Sequence, residues 1–168
     1  MKTFHRLSLV STLMAAATFS SGSFAATATG TANATVLTPI TITAGTALNF
    51  GTLAGNTAGT VTVTAAGARS TSGGVVVTSG AFSAASFTVG GTSGATFGVT
   101  YPASFNVTSG ANTMAVLVGG GTAGANGAAT GSLTSASISF PVGGVLSVGA
   151  AQPAGSYTGN YVMTVEYN

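Results

Sequence analysis

Apolar and polar residues alternate with a period of two near the start of this chain, between residues 26 and 44. The even positions carry mostly small or apolar residues, and the odd positions are mostly Thr or Asn. Since successive side chains of an extended strand point to opposite faces, this pattern predicts β-structure with one buried face. Pro39 cannot donate a hydrogen bond to a sheet, so we expect two strands, at about residues 27–36 and 40–44, joined near Pro39.

The same alternation governs the last residues of the chain, 157–167. The odd positions carry Tyr, Gly, Met and Val, whereas the even positions carry Thr, Asn, Val and Glu. We expect one long, half-buried strand here, which begins after a turn at residues 153–155. Its buried face would carry Tyr161, Met163, Val165 and Tyr167.

Shorter strand candidates fill the sequence between these two segments. They lie at residues 48–51, 60–64, 74–78, 86–89, 97–101, 104–107, 113–118, 132–140 and 145–148. A Gly-rich loop is expected at residues 119–131. Short strands with turn residues every ~8–12 positions are typical of β-sandwiches and barrels. Past the first 25 residues, no segment has the ~3.6-residue apolar period of a confident helix, so we predict an all-β domain.

The first 25 residues have the three parts of a secretory signal peptide. The positive start consists of Lys2, His5 and Arg6. Residues 7–19 are mostly apolar, and this run is shorter than the roughly 20 apolar residues that span a bilayer. Small residues follow, and we predict cleavage after Ala25 or Ala26 and export to the periplasm, the cell surface or the medium.

Beyond the signal sequence the chain has almost no ionisable side chains. One Arg and one acid remain there, Arg69 and Glu166, and no Lys, Asp, His or Cys. Acid–base catalysis needs groups that titrate, metal sites need His, Cys or several carboxylates, and nucleic-acid binding needs clustered Lys and Arg. We therefore expect no enzymatic activity, no metal or small-molecule cofactor, and no nucleic-acid partner. Arg69, in an expected loop, and Glu166 are predicted to be solvated surface charges.

Three segments together resemble a known group of bacterial surface proteins. They are the alternating segment that ends in Asn33-Ala34-Thr35-Val36, the segment Leu48-Asn49-Phe50-Gly51-Thr52, and the ending from Pro153 to Tyr167. The chain resembles spore coat protein U and the archaic chaperone–usher pilins, and it is similar to the related bacterial domain-of-unknown-function family 4402. The resemblance implies an immunoglobulin-like β-sandwich of the pilin or adhesin type, which is incomplete and is completed by a donor strand from a neighbouring subunit.

The resemblance also implies a division of the chain and a role for its two alternating segments. The signal peptide would occupy residues 1–25, an extension that serves as the donor strand residues 26–38, and the sandwich residues 39–168. The donor side chains that would enter a neighbour are Ala28, Ala32, Ala34 and Val36. The strand that would pair with a subunit or with a periplasmic chaperone carries Tyr161, Met163, Val165 and Tyr167.

The expected function is that of a secreted structural subunit of a bacterial surface polymer, a pilus, fimbria or coat, involved in adhesion or surface assembly. Isolated sandwiches protect their edge strands with Lys, Glu or Pro, and this chain has few such residues after the signal sequence. The expected partners are further copies or other pilus subunits, together with a periplasmic chaperone and an outer-membrane usher. Two alternatives stay open: a self-complete, free-standing sandwich that binds a surface ligand, and a small outer-membrane β-barrel.

Overall fold

The computed structural model describes residues 24–54, 56–119 and 127–168. The chain divides into two units, residues 1–35 and residues 36–168. In the first unit the described residues, 24–35, are all exposed and form no strand. The predicted signal peptide at residues 1–25 lies outside the described residues except for its last two.

The second unit is built from short antiparallel strands, and the described residues contain no helix. In chain order the strands are β1 (Thr41–Ala44), β2 (Leu53–Ala54), β3 (Gly59–Val63), β4 (Arg69–Gly73), β5 (Val76–Val77), β6 (Ala85–Gly90), β7 (Thr96–Thr100), β8 (Ser104–Ser109), β9 (Asn112–Val118), β10 (Ala128–Ser132), β11 (Ser137–Val142), β12 (Gly144–Val148) and β13 (Thr164–Tyr167). The all-β prediction is therefore confirmed. None of the described residues lies in a helix long and apolar enough to cross a membrane.

One layer of the fold is a five-stranded sheet with the order β4-β3-β12-β9-β8. Its strands alternate between the core and the solvent, as β9 illustrates: Met114, Val116 and Val118 are buried, and the residues between them are exposed. Together with Val61 and Leu146 of the neighbouring strands, these side chains form a continuous inner face. A period of two in the sequence has thus produced the one-sided burial that a sandwich requires.

The other layer consists of two three-stranded sheets, β1-β6-β11 and β10-β7-β13, and a small β2-β5 ribbon lies apart from them. The largest core cluster joins Val89 of β6, Phe97 and Val99 of β7, and Leu133, which are all fully buried. It also includes Val118 of the five-stranded sheet. The core therefore fills the space between the layers, and the fold is a β-sandwich with open sheets.

Several strands differ from their predicted bounds. Residues 128–131 were expected in a loop, but together with Ser132 they form β10, whose backbone pairs with β7 from Ala128↔Thr100 to Ser132↔Thr96. The strand predicted at residues 132–140 is shifted, because β11 begins only at Ser137. The segment at residues 48–51 contributes a single bridge, Asn49↔Ser83, rather than a strand.

The alternating segment at the start of the chain is a strand only in its second part. The strand predicted at residues 40–44 is confirmed as β1, which pairs with β6 from Thr41↔Gly90 to Ala44↔Phe87. Residues 27–36 form no strand in the single chain. The donor-strand prediction concerns a pairing with a second chain, so it stays a prediction.

Candidate functional site

The last segment of the chain presents its predicted face to the core. Met163 is buried, Tyr161, Val165 and Tyr167 are half-buried, and the even positions between them are exposed. All four side chains pack in or against the largest core cluster. The structure therefore brings together the four residues that were predicted to share a face.

This segment forms a shorter strand than predicted, because its backbone changes pairing partner along its length. Thr158 pairs with Thr108 of β8 in the five-stranded sheet, whereas β13 pairs with β7 in the other layer. Gly159 permits the first contact, since a Cβ at this position would clash with the carbonyl oxygen of Asn106. The chain thus crosses from one layer to the other between residues 158 and 164, and the predicted strand at residues 157–167 is realised only as Thr164–Tyr167.

The hydroxyl of Tyr167 ties β13 to the residues that flank β1 and β6. It donates to the carbonyl oxygen of Thr38 at 2.7 Å and accepts from the N–H of Thr92 at 2.8 Å. The N–H of Thr38 donates in turn to Oγ1 of Thr92 at 2.8 Å. Thr38 lies just before β1 and Thr92 just after β6, so this triangle of hydrogen bonds holds β1 close to β13.

The edges of β1 and β13 lie next to each other without pairing. Cα atoms of the two strands approach within 8 Å, yet among the described residues no backbone hydrogen bond joins them. We call the space between these two edges the β1–β13 gap. Ile40, Ile42, Val165 and Tyr167, on or beside these two strands, pack against the main core cluster, and Ala44 is the ladder partner of Phe87.

Backbone groups on both strands point into the β1–β13 gap. Bonded and non-bonded pairs alternate along an antiparallel ladder, and the N–H of Asn168 donates to the carbonyl oxygen of Thr96. The N–H and C=O of Val165 and Tyr167 therefore point away from β7. On the other edge, the N–H of Gly45 bonds to Ser86, so by the same alternation the groups of Ile42 point away from β6.

Three aromatic rings meet at the Ala44 end of the β1–β13 gap, where Phe87 is the ladder partner of Ala44 and Tyr161 precedes β13; we call these rings the floor of the gap. The ring of Tyr161 stacks on that of Phe105 from β8, with centroids 4.9 Å apart and planes at 27°. It meets the ring of Phe87 from β6 edge to face, with centroids 6.1 Å apart. All three rings are half-buried, and burial raises the pKa of the Tyr161 phenol above its ordinary value.

The candidate donor side chains lie in the exposed segment that precedes β1 in the chain. Ala28, Ala32, Ala34 and Val36 are exposed, and Val36 is 93% exposed. Their segment carries no charged residue, and neither do the strands β1 and β6. The sequence alone did not indicate Phe87 and Phe105, because the alternation places them on a buried face without showing which rings meet.

Arg69 is not a solvated loop charge as predicted. It is the first residue of β4 and is half-buried, and its Nη1 donates to the carbonyl oxygen of Phe50 at 3.1 Å. Its guanidinium lies 4.3 Å from the centroid of the Phe82 ring. Arg69 therefore holds two loops to the sheet by a hydrogen bond and a cation–π contact. Glu166 is exposed on β13, as predicted.

The ionisable side chains of the described residues offer no metal site. Among these residues no three His, Cys, Asp or Glu side chains lie together, and the whole chain contains only one His and one acid. The arrangement that the geometry does provide is a pair of strand edges above a floor of aromatic rings. Unpaired strand edges are places where a further strand can be added to a sheet.

The sequence of the domain matches the model of a protein family. The match covers residues 40–167, and the family is described as "Domain of unknown function (DUF4402)". The chain belongs to this family, which confirms that part of the resemblance. No curated protein and no solved structure matches the chain.

Proposed function

We propose that the mature chain is a secreted structural subunit of a bacterial surface polymer, such as a pilus, fimbria or coat, and acts in adhesion or surface assembly. The observation that carries this proposal is the β1–β13 gap. Two strand edges adjoin there, and neither pairs with the other. Unpaired edges are sites at which a strand from another chain is added.

The half-buried core beneath the gap supports the same role. Ile42, Val165 and Tyr161 all pack against the main core cluster but remain partly accessible. Ala44 lies on the inward side of β1 beside Phe87, yet it is exposed to solvent. The inner surface is therefore accessible at this position. A strand added in the gap would cover these side chains, and at about 25 cal/mol per Å² of apolar surface that burial would stabilise the assembly.

The occupant we propose is the segment at residues 27–36 of a second copy. Its alternation suits an extended strand with one face on the core, and it is exposed in the single chain. Main-chain hydrogen bonds would provide most of the affinity, with alternate side chains facing the aromatic floor. An inserted strand needs about 10 Å between its neighbours, so β1 would move outward from β13 by a few ångströms as the strand enters.

The resemblance to spore coat protein U and to chaperone–usher pilins supports a route for this assembly. On this proposal the last strand first pairs with a periplasmic chaperone. At an outer-membrane usher, a neighbouring subunit then takes the place of the chaperone. The protein would act at the cell surface without catalysis, because its mature sequence offers only Glu166 as an acid and no His.

Replacing residues 27–36 tests the proposal. We expect the mature wild-type chain to elute as polymers in size-exclusion chromatography with light scattering. A variant in which a Gly/Ser linker of equal length replaces these residues should elute as a monomer with an unchanged melting temperature. Unfolding of this variant would show that the segment is the first strand of its own domain, and persistent polymers would show that other contacts hold the chains together.

A further inference from the structure

The floor of the β1–β13 gap is already filled by side chains of the domain itself. Tyr161 makes a stacked contact with Phe105 and an edge contact with Phe87, so the three rings form a continuous surface. Because Tyr161 precedes β13, Phe87 lies on β6 and Phe105 on β8, this surface joins both layers of the sandwich. It leaves little depth for a large side chain from an incoming strand.

The proposed donor face matches such a shallow floor. Its even positions carry Ala28, Gly30, Ala32 and Ala34 before they reach Val36. A methyl group can rest on an aromatic ring without displacing it, whereas a longer side chain would have to push a packed ring from its position. The small residues of the donor and the large residues of the floor therefore complement each other.

We propose that the β1–β13 gap selects its donor strand by side-chain size and accepts only strands with small residues on the inward face. This inference rests on the proposed function and specifies it further: the partner is an Ala-rich, uncharged strand, which this chain itself supplies. Strands with bulky inward residues from unrelated proteins are excluded by the rings of Tyr161, Phe87 and Phe105. The subunit would therefore bind the donor strand of another copy in preference to strands of unrelated proteins.

The test uses the full mature chain and changes one side chain of the donor at a time. Ala32→Leu enlarges the inward face, and Asn33→Leu places the same side chain on the outward face as the matched control. Both positions are exposed, so neither change threatens the fold of the single chain. Polymer formation is followed by light scattering, and the concentration for half-assembly is compared between the variants.

We expect Ala32→Leu to raise the concentration for half-assembly by about tenfold or more, and Asn33→Leu to leave it nearly unchanged. Making room in the floor with Phe105→Leu should restore the assembly of Ala32→Leu, with the melting temperature recorded to show that this variant folds. If Ala32→Leu assembles as well as the wild type, size selection is wrong but the polymer stands. If the wild type forms no polymer, both this inference and the proposed function are wrong.

Discussion

Tyr161 is the residue on which the floor of the β1–β13 gap depends most. Its ring is the only one of the three that touches both others in the described structure. It lies in the stretch where the chain crosses between the layers, so its position is fixed by packing rather than by a strand ladder. Burial disfavours the charged form of its phenol and so raises its pKa.

The raised pKa of Tyr161 predicts a loss of stability in alkaline solution. The phenol of the unfolded chain ionises near pH ~10, whereas the folded domain holds the neutral form to higher pH. The contribution is therefore fully present below pH ~10 and is lost as the pH rises from there through the raised pKa. Urea unfolding measured from about pH 7 to about pH 11 should show that the free energy of unfolding declines only in the upper part of this range.

The variant Tyr161→Phe provides the comparison for this prediction. It cannot ionise, so its decline above pH ~10 should be smaller than that of the wild type. Tyr101, whose pKa burial also raises, should account for part of the decline that remains. Equal alkaline declines in the wild type and Tyr161→Phe would contradict the burial of this phenol.

At the scale of the element, the last segment combines a fixed inward face with a change of sheet. Tyr161, Met163 and Val165 keep their alternation, while the backbone partner changes from Thr108 of β8 to the residues of β7. The segment therefore links the two layers of the sandwich through both its side chains and its backbone. We expect its inward residues to matter to stability far more than its outward ones.

Paired substitutions on the two faces of this segment test that expectation. Tyr161→Ala removes a half-buried ring with two aromatic neighbours and should lower the free energy of unfolding by about 3 kcal/mol, the lower end of the range for a fully buried aromatic. Thr164→Ala alters an exposed side chain and should change it by less than about 0.5 kcal/mol. Chemical denaturation measures both, and similar small effects would show that the face assignment is wrong.

The sequence predicts the strands well where apolar and polar residues alternate along it. Val116 in β9 and Leu146 in β12 lie in strands that their own residues specify. Two strands that were not predicted, β4 and β10, consist largely of Gly, Ala and Ser, and each contains only one Thr of the β-branched and aromatic residues that favour strands. They form because β3 and β7 supply their hydrogen-bonding partners. β3 directly precedes β4 in the chain, whereas β7 is separated from β10 by two other strands.

The candidate site could be predicted only in part for a related reason. Alternation identifies the inward face of Tyr161 and Tyr167 without the structure, since it depends on local geometry. The gap between β1 and β13 depends on which strands fail to pair, and no local pattern encodes a missing neighbour. The contacts of Phe87 and Phe105 arise from tertiary packing, as does the position of Arg69 against Phe82.

At the scale of the whole molecule, the domain is a sandwich with very few charged residues, so its exposed strand edges have little to protect them. Charged side chains normally keep edge strands from pairing with other proteins, and the domain from residue 36 onward contains only Arg69 and Glu166. The guanidinium of Arg69 bonds to Phe50 and lies against the ring of Phe82, so its charge does not protect a strand edge. Assembly with further copies would cover the edges that the single chain leaves open.

The central claim is that residues 27–36 of one copy occupy the β1–β13 gap of another, and disulfide capture tests it most directly. The chain contains no Cys, so an engineered pair has no competing thiol. Chains that carry Asn33→Cys are mixed with isotopically labelled chains that carry Thr43→Cys on the exposed face of β1. Neighbouring strands place such positions about 4.5–5.5 Å apart, within the range of a disulfide. Thr31→Cys and Thr35→Cys sample the adjacent registers.

We predict that mass spectrometry will find the mixed disulfide between labelled and unlabelled chains for at least one register. Ser147→Cys serves as the control acceptor, because it is exposed on β12, the central strand of the five-stranded sheet, and pairs with Thr60 of β3. It should remain unlinked under the same conditions. Equal linking to Ser147→Cys and Thr43→Cys, or disulfides that form only within one chain when both cysteines are placed together, would contradict the account.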